Sequence, residues 1–297
     1  MHNGLIYLIA AIFNLTTYKN VDQLIKKKYM NNKEKAKAYH TAVSQYNESI
    51  IKEMVHENYI QHNPRVPSGR AAFISMIPKL KEYGSKIENI RMLEDDQHII
   101  MHHKWINATP FGFNEAVAFH IIRFDYHGLI AEHWNVMTAI APPNLSGRSL
   151  FDGETKIKDL KKTESNKSII TELFSTLTNK NVETIVETIP NFFQTNFHQH
   201  NVALADGVQN LIHAIQDESL FPRYKKQHAV FGEGNFVLSI SEGVFARKNS
   251  ALYDLFRLEE EKIVAHWSIY QDIQTQNLAN NNTMFNFKMV SSLNACK

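Results

Sequence analysis

Asp254 stands in the run Leu252-Tyr253-Asp254-Leu255-Phe256, where strand alternation puts it on one face with Leu252 and Phe256 and leaves Tyr253, Leu255 and Arg257 on the other. Both faces are largely apolar. A carboxylate there must border a pocket or be paired, because burying it alone in an apolar core is costly. Desolvation raises a carboxyl pKa and would make Asp254 a stronger base toward a proton alpha to a carbonyl, a role in which Asp254→Asn would be tolerated by the fold near neutral pH. His266, sharing a strand face with Val264, Ser268 and Tyr270, and His200, preceding Asn201, are the candidate donors to a developing oxyanion. Asp254, His266 and His200 are therefore the candidate catalytic residues, with His62, His120, His133, Gln199, Asn201 and Tyr270 as candidate ligand-binding residues. Each histidine also has a plainer reading, a satisfied hydrogen bond tying a helix to a sheet. Gln199 and Asn201 read equally as turn and cap formers, and Trp267 as a core side chain on the opposite strand face.

No metal or cofactor is expected. His198 and His200 would share one side of an extended strand, but no carboxylate sits at a spacing that completes a site, and the adjacent His102 and His103 split across a strand. The one cysteine, Cys296, permits neither an intrachain disulfide nor a thiolate zinc site. There is no glycine-rich phosphate loop, serine nucleophile elbow or dinucleotide fingerprint.

These residues recur. Tyr59-Ile60-Gln61-His62-Asn63 reappears as Phe197-His198-Gln199-His200-Asn201, and Gly69 and Gly207 each follow seven residues after the histidine. The segment ending in His133-Trp134 reappears, one residue shorter in its turn, as the segment ending in His266-Trp267. In this alignment Asp254 corresponds to His120, so the two copies differ in the chemical type of the proposed base, and the second copy is expected to hold the more reactive pocket. The repeat divides the chain into an N-terminal apolar segment (1–31), a first domain (32–141), a linker (142–164), a second domain (165–276) and a polar tail (277–297) expected to fray.

In each copy, helical periodicity comes first: apolar faces over 36–46 and 169–177, a second helix before the Gln-His-Asn segment, and a third after the glycine, over 71–83 and 208–215. Strands follow over 87–93, 98–105, 115–124 and 129–137, then over 228–232, 235–246, 251–258 and 262–273. Helices followed by a run of antiparallel strands make the fold class α+β.

The 297 residues suffice for two domains, and 43% hydrophobic with 21% charged residues is the composition of a soluble globular chain. A net charge of +2 with scattered lysines gives no electrostatic argument for nucleic acid. The apolar run over 4–15 is too short to span a bilayer core of ~30 Å. Its length suits a signal-peptide core, but no basic residue precedes it and no small-x-small site follows. Cytoplasmic localisation is therefore favoured over secretion.

With these segments in view, the chain resembles the nuclear transport factor 2-like superfamily and, within it, the SnoaL-like polyketide cyclases. The resemblance rests on the Gln-His-Asn segment after the second helix and on the terminal hairpin ALYDLFRLEEEKIVAHW. It implies two tandem cone-shaped domains, each a curved antiparallel sheet wrapped around its N-terminal helices, with a ligand pocket at the mouth. It implies the general base of an intramolecular aldol closure at Asp254, and a habit of pairing through the outer sheet face, here within one chain. The expected function is a cofactor-free isomerase, cyclase or aldol-type lyase acting on a small hydrophobic or carbonyl-containing molecule. The alternative is a non-catalytic ligand-binding or protein-interaction module.

Overall fold

Asn31 starts the first helix, α1 (Asn32–Ser44), with a reciprocal cap: its side chain accepts from the Glu34 N–H, and the Glu34 carboxylate accepts from the Asn31 N–H, both at 2.9 Å. A short helix α2 (Glu48–Met54), capped by Asn47, runs directly into strand β1 (Val55–Gln61). Helix α3 (Arg70–Glu82) and strands β2 (Lys86–Asp95), β3 (His98–Ile106), β4 (Glu115–Phe124) and β5 (Ile130–Ala139) complete the first half. The second half repeats the order with α4 (Thr163–Asn179), α5 (Val182–Thr188), β6 (Phe193–Gln199), α6 (Val208–Gln216), β7 (Arg223–Glu233), β8 (Phe236–Phe245), β9 (Lys248–Glu259) and β10 (Lys262–Asp272). This computed structural model describes residues 30–217 and 219–287; the apolar run 4–15 and Cys296 lie outside them.

The molecule is α+β, with two five-stranded sheets and six α-helices among the described residues. The sheets share one topology, β1-β5-β4-β3-β2 and β6-β10-β9-β8-β7. Neither is purely antiparallel. β1 runs parallel to β5 and β6 parallel to β10, because the strand carrying Gln-His-Asn returns beside the last strand of its half rather than beside its neighbour in sequence.

Both faces of each sheet are covered, which is why the strands lack clean polar alternation. The inner face of the first sheet meets Ala36, Tyr39, Ile51 and Ile77 of its helices, and that of the second meets Ile170, Phe174 and Leu211. The outer faces share one further cluster, in which Phe119, Trp134 and Val136 of one half join Leu238, Tyr253 and Trp267 of the other. The contacts between halves are reciprocal. Lys33 of α1 pairs with Glu233 at the end of β7 at 2.5 Å, and Lys167 of α4 pairs with Asp95 at the end of β2 at 2.9 Å. Buried Arg91 lies over the Trp267 ring at 4.2 Å and donates to the carbonyls of Glu154 and Asp152. Burial brings it down to about 10.

Each half is also strapped by chain that follows a last strand. The Asn144 side chain donates to the carbonyls of Gln199, Asn201 and Leu204. Asn280 donates to those of Asn63 and Val66, and Asn282 to that of Gln61. The tail is thus docked through at least Phe287, whose ring stacks on Trp134 at 4.8 Å, where composition alone pointed to fraying. Side-chain amides satisfy loop carbonyls that no neighbouring strand can reach, so polar residues here hold structure.

Candidate functional site

The aromatic-x-Gln-His-Asn segment and the His-Trp pair form one device in each half. In the parallel register Gln61 lies opposite His133 and Gln199 opposite His266. Gln61 Oε1 accepts from the Asn63 N–H at 2.9 Å, so its amide nitrogen faces His133 Nδ1, also at 2.9 Å. Gln199 is oriented alike, with Oε1 accepting from the Asn201 N–H at 2.9 Å and Nε2 facing His266 Nδ1 at 3.1 Å. Asn63 and Asn201 close tight turns by accepting from the N–H two residues on, at 3.0 and 2.9 Å. Gly69 and Gly207 then start α3 and α6 at φ of 95° and 90°, a left-handed conformation that accounts for glycine at both positions, and each N–H returns to the carbonyl of the motif aromatic, Tyr59 or Phe197.

The intervening histidines turn to the opposite face. His62 stacks on Trp134 at 4.3 Å and His200 on Trp267 at 4.5 Å. His62 contacts the Thr283 carbonyl through Nδ1 and the Glu132 carboxylate through Nε2, both at 2.8 Å. Burial would raise Glu132, but hydrogen bonds from His62 and Arg123 bring it down to about 2. His200 contacts the Ser149 carbonyl at 2.9 Å and Asp152 at 2.6 Å, and burial lowers it to about 4. His62 and His200 therefore lie in the strap contacts, apart from the sheet faces carrying Asp254 and His120. Strand alternation turns the residue after each glutamine outward.

The inward relay fixes proton positions. A glutamine N–H donated to Nδ1 makes the partner histidine the Nε2–H tautomer, so His133 donates to His120 Nδ1 at 2.8 Å and His266 donates to Asp254 Oδ1 at 3.0 Å. His120 and Asp254 are equivalent in register: His120 pairs with Asn135, two residues past His133, and Asp254 with Ser268, two past His266. Accepting at Nδ1, neutral His120 carries its proton on Nε2, and that atom has no protein partner.

In the second half the space around Asp254 is filled. Tyr224 donates to its Oδ2 at 3.0 Å and Tyr270 approaches Oδ1 at 3.5 Å, while Phe256 stacks on His266 at 4.6 Å. Burial, then the Asp254 carboxylate, raises both tyrosines well above their ordinary range. Asp254 is fully buried, and the neighbouring cavity, bordered by Phe174, Leu211, Tyr224, Phe256 and His266, holds only about 20 Å³. The sequence left this carboxylate either bordering a pocket or paired; the structure encloses it among donors. Gln199 and Asn201 are buried turn formers beneath it.

Of the two cavities beside His120 and Asp254, the larger is in the first half. There Ile87 and Met137 occupy the register positions of Tyr224 and Tyr270, and Trp105 that of Gly243. Without the tyrosines a cavity of about 40 Å³ remains, bordered by Tyr39, His40, Phe73, Trp105, His120 and His133. It shares Val66, Met76, Phe111, Asn135 and Met137 with an outer chamber of about 200 Å³. His40, His103, His120 and His133 form a chain of ring contacts at 4.5, 4.6 and 4.8 Å. Burial lowers all four, His40 to about 4 and His133 to about 3, so they are neutral near pH 7. Trp105 Nε1 and His40 Nδ1, like His120 Nε2, lack protein partners. No group of three or more His, Cys, Asp or Glu with metal-holding geometry occurs among the described residues. His40, Trp105 and Tyr224 were not singled out from sequence, and His103 only as half of a pair set aside for metal; the fold alone brings them beside His120 and Asp254.

No known family profile matches the chain, and no curated protein matches it in sequence. Among solved structures, a candidate ketosteroid isomerase from Kribbella flavida matches with 8% identity and a TM-score of 0.32, over 38% of this chain and 83% of that one. IdmH, a candidate polyketide cyclase from Streptomyces antibioticus, matches with 12% identity and a TM-score of 0.31, over 36% of this chain and 92% of that one. A nuclear transport factor 2-like protein of unknown function from Cytophaga hutchinsonii shows 18% identity and a TM-score of 0.29, over 40% of this chain and 95% of that one. Likenesses at this level transfer no residue role. No helix among the described residues is long and apolar enough to cross a membrane.

Proposed function

We propose that the chain is two tandem SnoaL-like domains paired back to back, and that the first binds a small, largely apolar molecule through a carbonyl or similar acceptor oxygen, with His120 as the donor. The observation that carries this is a cavity of about 40 Å³ that adjoins the chamber of about 200 Å³ and is bordered by His120, whose Nε2–H is left over once its Nδ1 accepts from His133. Aromatic walls with few polar groups are the usual make-up of a small-molecule site. Trp105 Nε1–H is a second unpartnered donor on the same lining. A cationic ligand has no place here, since the bordering histidines are neutral and present no carboxylate.

Turnover of the isomerase, cyclase or aldol-lyase kind would use the His120 Nε2–H to stabilise a developing enolate oxygen, as neutral imidazoles can. It would also need a base. His40, brought down to about 4 by burial, is a weak one, and this favours the binding-module reading over the catalytic one. Asp254, ringed by donors, serves as the structural counterpart of His120 in the second half.

The test is calorimetric titration of the full chain with benzylacetone, an aryl ketone, alongside native mass spectrometry for a retained ligand. Binding that is lost in His120→Phe and kept in Asp254→Asn is expected. Binding undiminished by His120→Phe, or none to the wild-type chain, would overturn the assignment.

A further inference from the structure

Gln271 belongs to the second half yet borders the outer chamber of the first. It lies on β10, is 7% exposed, and accepts from the Met137 N–H through Oε1 at 3.2 Å. That bond fixes its orientation and leaves Nε2, a donor, without a protein partner. Asn135, on β5 and 5% exposed, borders the same chamber and has an unpartnered Oδ1, an acceptor. Buried polar groups are ordinarily satisfied, and an unsatisfied donor and acceptor bordering one chamber is the arrangement expected where a ligand completes the bonding. The chamber adjoins the His120 cavity through Asn135 and Met137, which border both.

We propose that the outer chamber is a specificity subsite, completed by the second half, that reads a hydroxyl or primary amide on the end of the ligand remote from its carbonyl. Only a group that both donates and accepts satisfies Gln271 Nε2–H and Asn135 Oδ1 together. A carboxylate would set its lone pairs against Asn135 Oδ1, an ammonium would leave Gln271 unpaired, and an alkyl end would leave both unpaired. This rests on the carbonyl pocket proposed above and adds a reason for the two halves to be joined: the second contributes a side chain to the site of the first.

The experiment compares benzylacetone with its para-hydroxy derivative by calorimetric titration of the full chain. The hydroxy ketone is expected to bind about tenfold more tightly, the effect of one well-placed buried hydrogen-bonding group. Gln271→Leu is expected to cut that preference to about threefold or less, the remainder being the bond to Asn135 Oδ1, while benzylacetone still binds through the His120 donor. Gln271→Met, an unbranched apolar side chain of similar length, covers the case in which the leucine variant fails to fold, and it too should weaken the preference. Equal affinities for the two ketones in the wild-type chain, or an undiminished preference in both variants, would overturn the subsite. Benzylacetone binding that depends on His120 without any hydroxyl advantage removes this inference alone, whereas absence of binding by either ketone removes the pocket reading with it.

Discussion

His120 and Asp254 occupy the same register position in their two sheets, and each accepts a hydrogen bond from the imidazole of the adjacent last strand, His133 at 2.8 Å and His266 at 3.0 Å. What differs is the company. Asp254 is met by the hydroxyls of Tyr224 and Tyr270; His120 has Ile87 and Met137 at those positions, and a cavity beside it. The acidic residue and the two tyrosines therefore form a set, as do the imidazole and the empty space.

Asp254→Asn is expected to destabilise the protein by about 2 kcal/mol near neutral pH, because an amide cannot accept from His266, Tyr224 and Tyr270 together and would leave a buried donor unpaired. Urea denaturation measures this. The sequence suggested a tolerated substitution, which followed from treating the carboxylate as an unpaired base. A neutral or stabilising outcome would restore that base.

Stability should fall as pH drops below the ordinary histidine range. His40, His103, His120 and His133 have folded pKa values below the unfolded value of ~6.5, so below that pH the unfolded chain binds more protons and is favoured. Their contribution is complete above ~6.5 and is lost down to about 4 for His40 and about 3 for His133. Each such group adds about 1.4 kcal/mol per pH unit within its window. Denaturant midpoints between pH 4 and 7 test this, and His103→Phe should flatten the profile.

Filling the first cavity should separate binding from folding. Met137→Tyr places at that position the residue the second half carries as Tyr270. The variant is expected to fold with a melting temperature near the wild-type value and to lose benzylacetone binding. Retained binding would mean that the ligand sits elsewhere.

The straps make a further prediction. Asn280→Ala removes donors to the Asn63 and Val66 carbonyls, and Asn144→Ala removes donors to Gln199, Asn201 and Leu204. Each should cost about 1–3 kcal/mol. Hydrogen exchange should quicken over residues 61–68 in the first variant and over 199–206 in the second. Exchange that rises equally in both segments for both variants would show the straps are not local.

The α+β class, the strand succession and the pairing of Asp254 with His120 were legible in the sequence, because strand alternation and the ordered recurrence of Gln-His-Asn and His-Trp are local patterns. The two apolar faces around Asp254 were legible as well, and the structure covers both. The direction each motif histidine faces was less so: His266 and His133 point inward, but His62 and His200 stack on tryptophans outside, a choice set by a parallel pairing of strands some seventy residues apart. Which half keeps the larger cavity depended on side chains at Ile87, Trp105 and Met137 against Tyr224, Gly243 and Tyr270, brought around one position only by sheet register. The docking of Asn280, Asn282 and Thr283 onto the other half was invisible to composition, since a polar tail looks the same whether its amides face water or unpaired carbonyls. Sequence determined which groups could carry a proton or accept one; tertiary structure decided which of them were left without a partner, because that depends on every neighbour the fold brings within hydrogen-bonding distance.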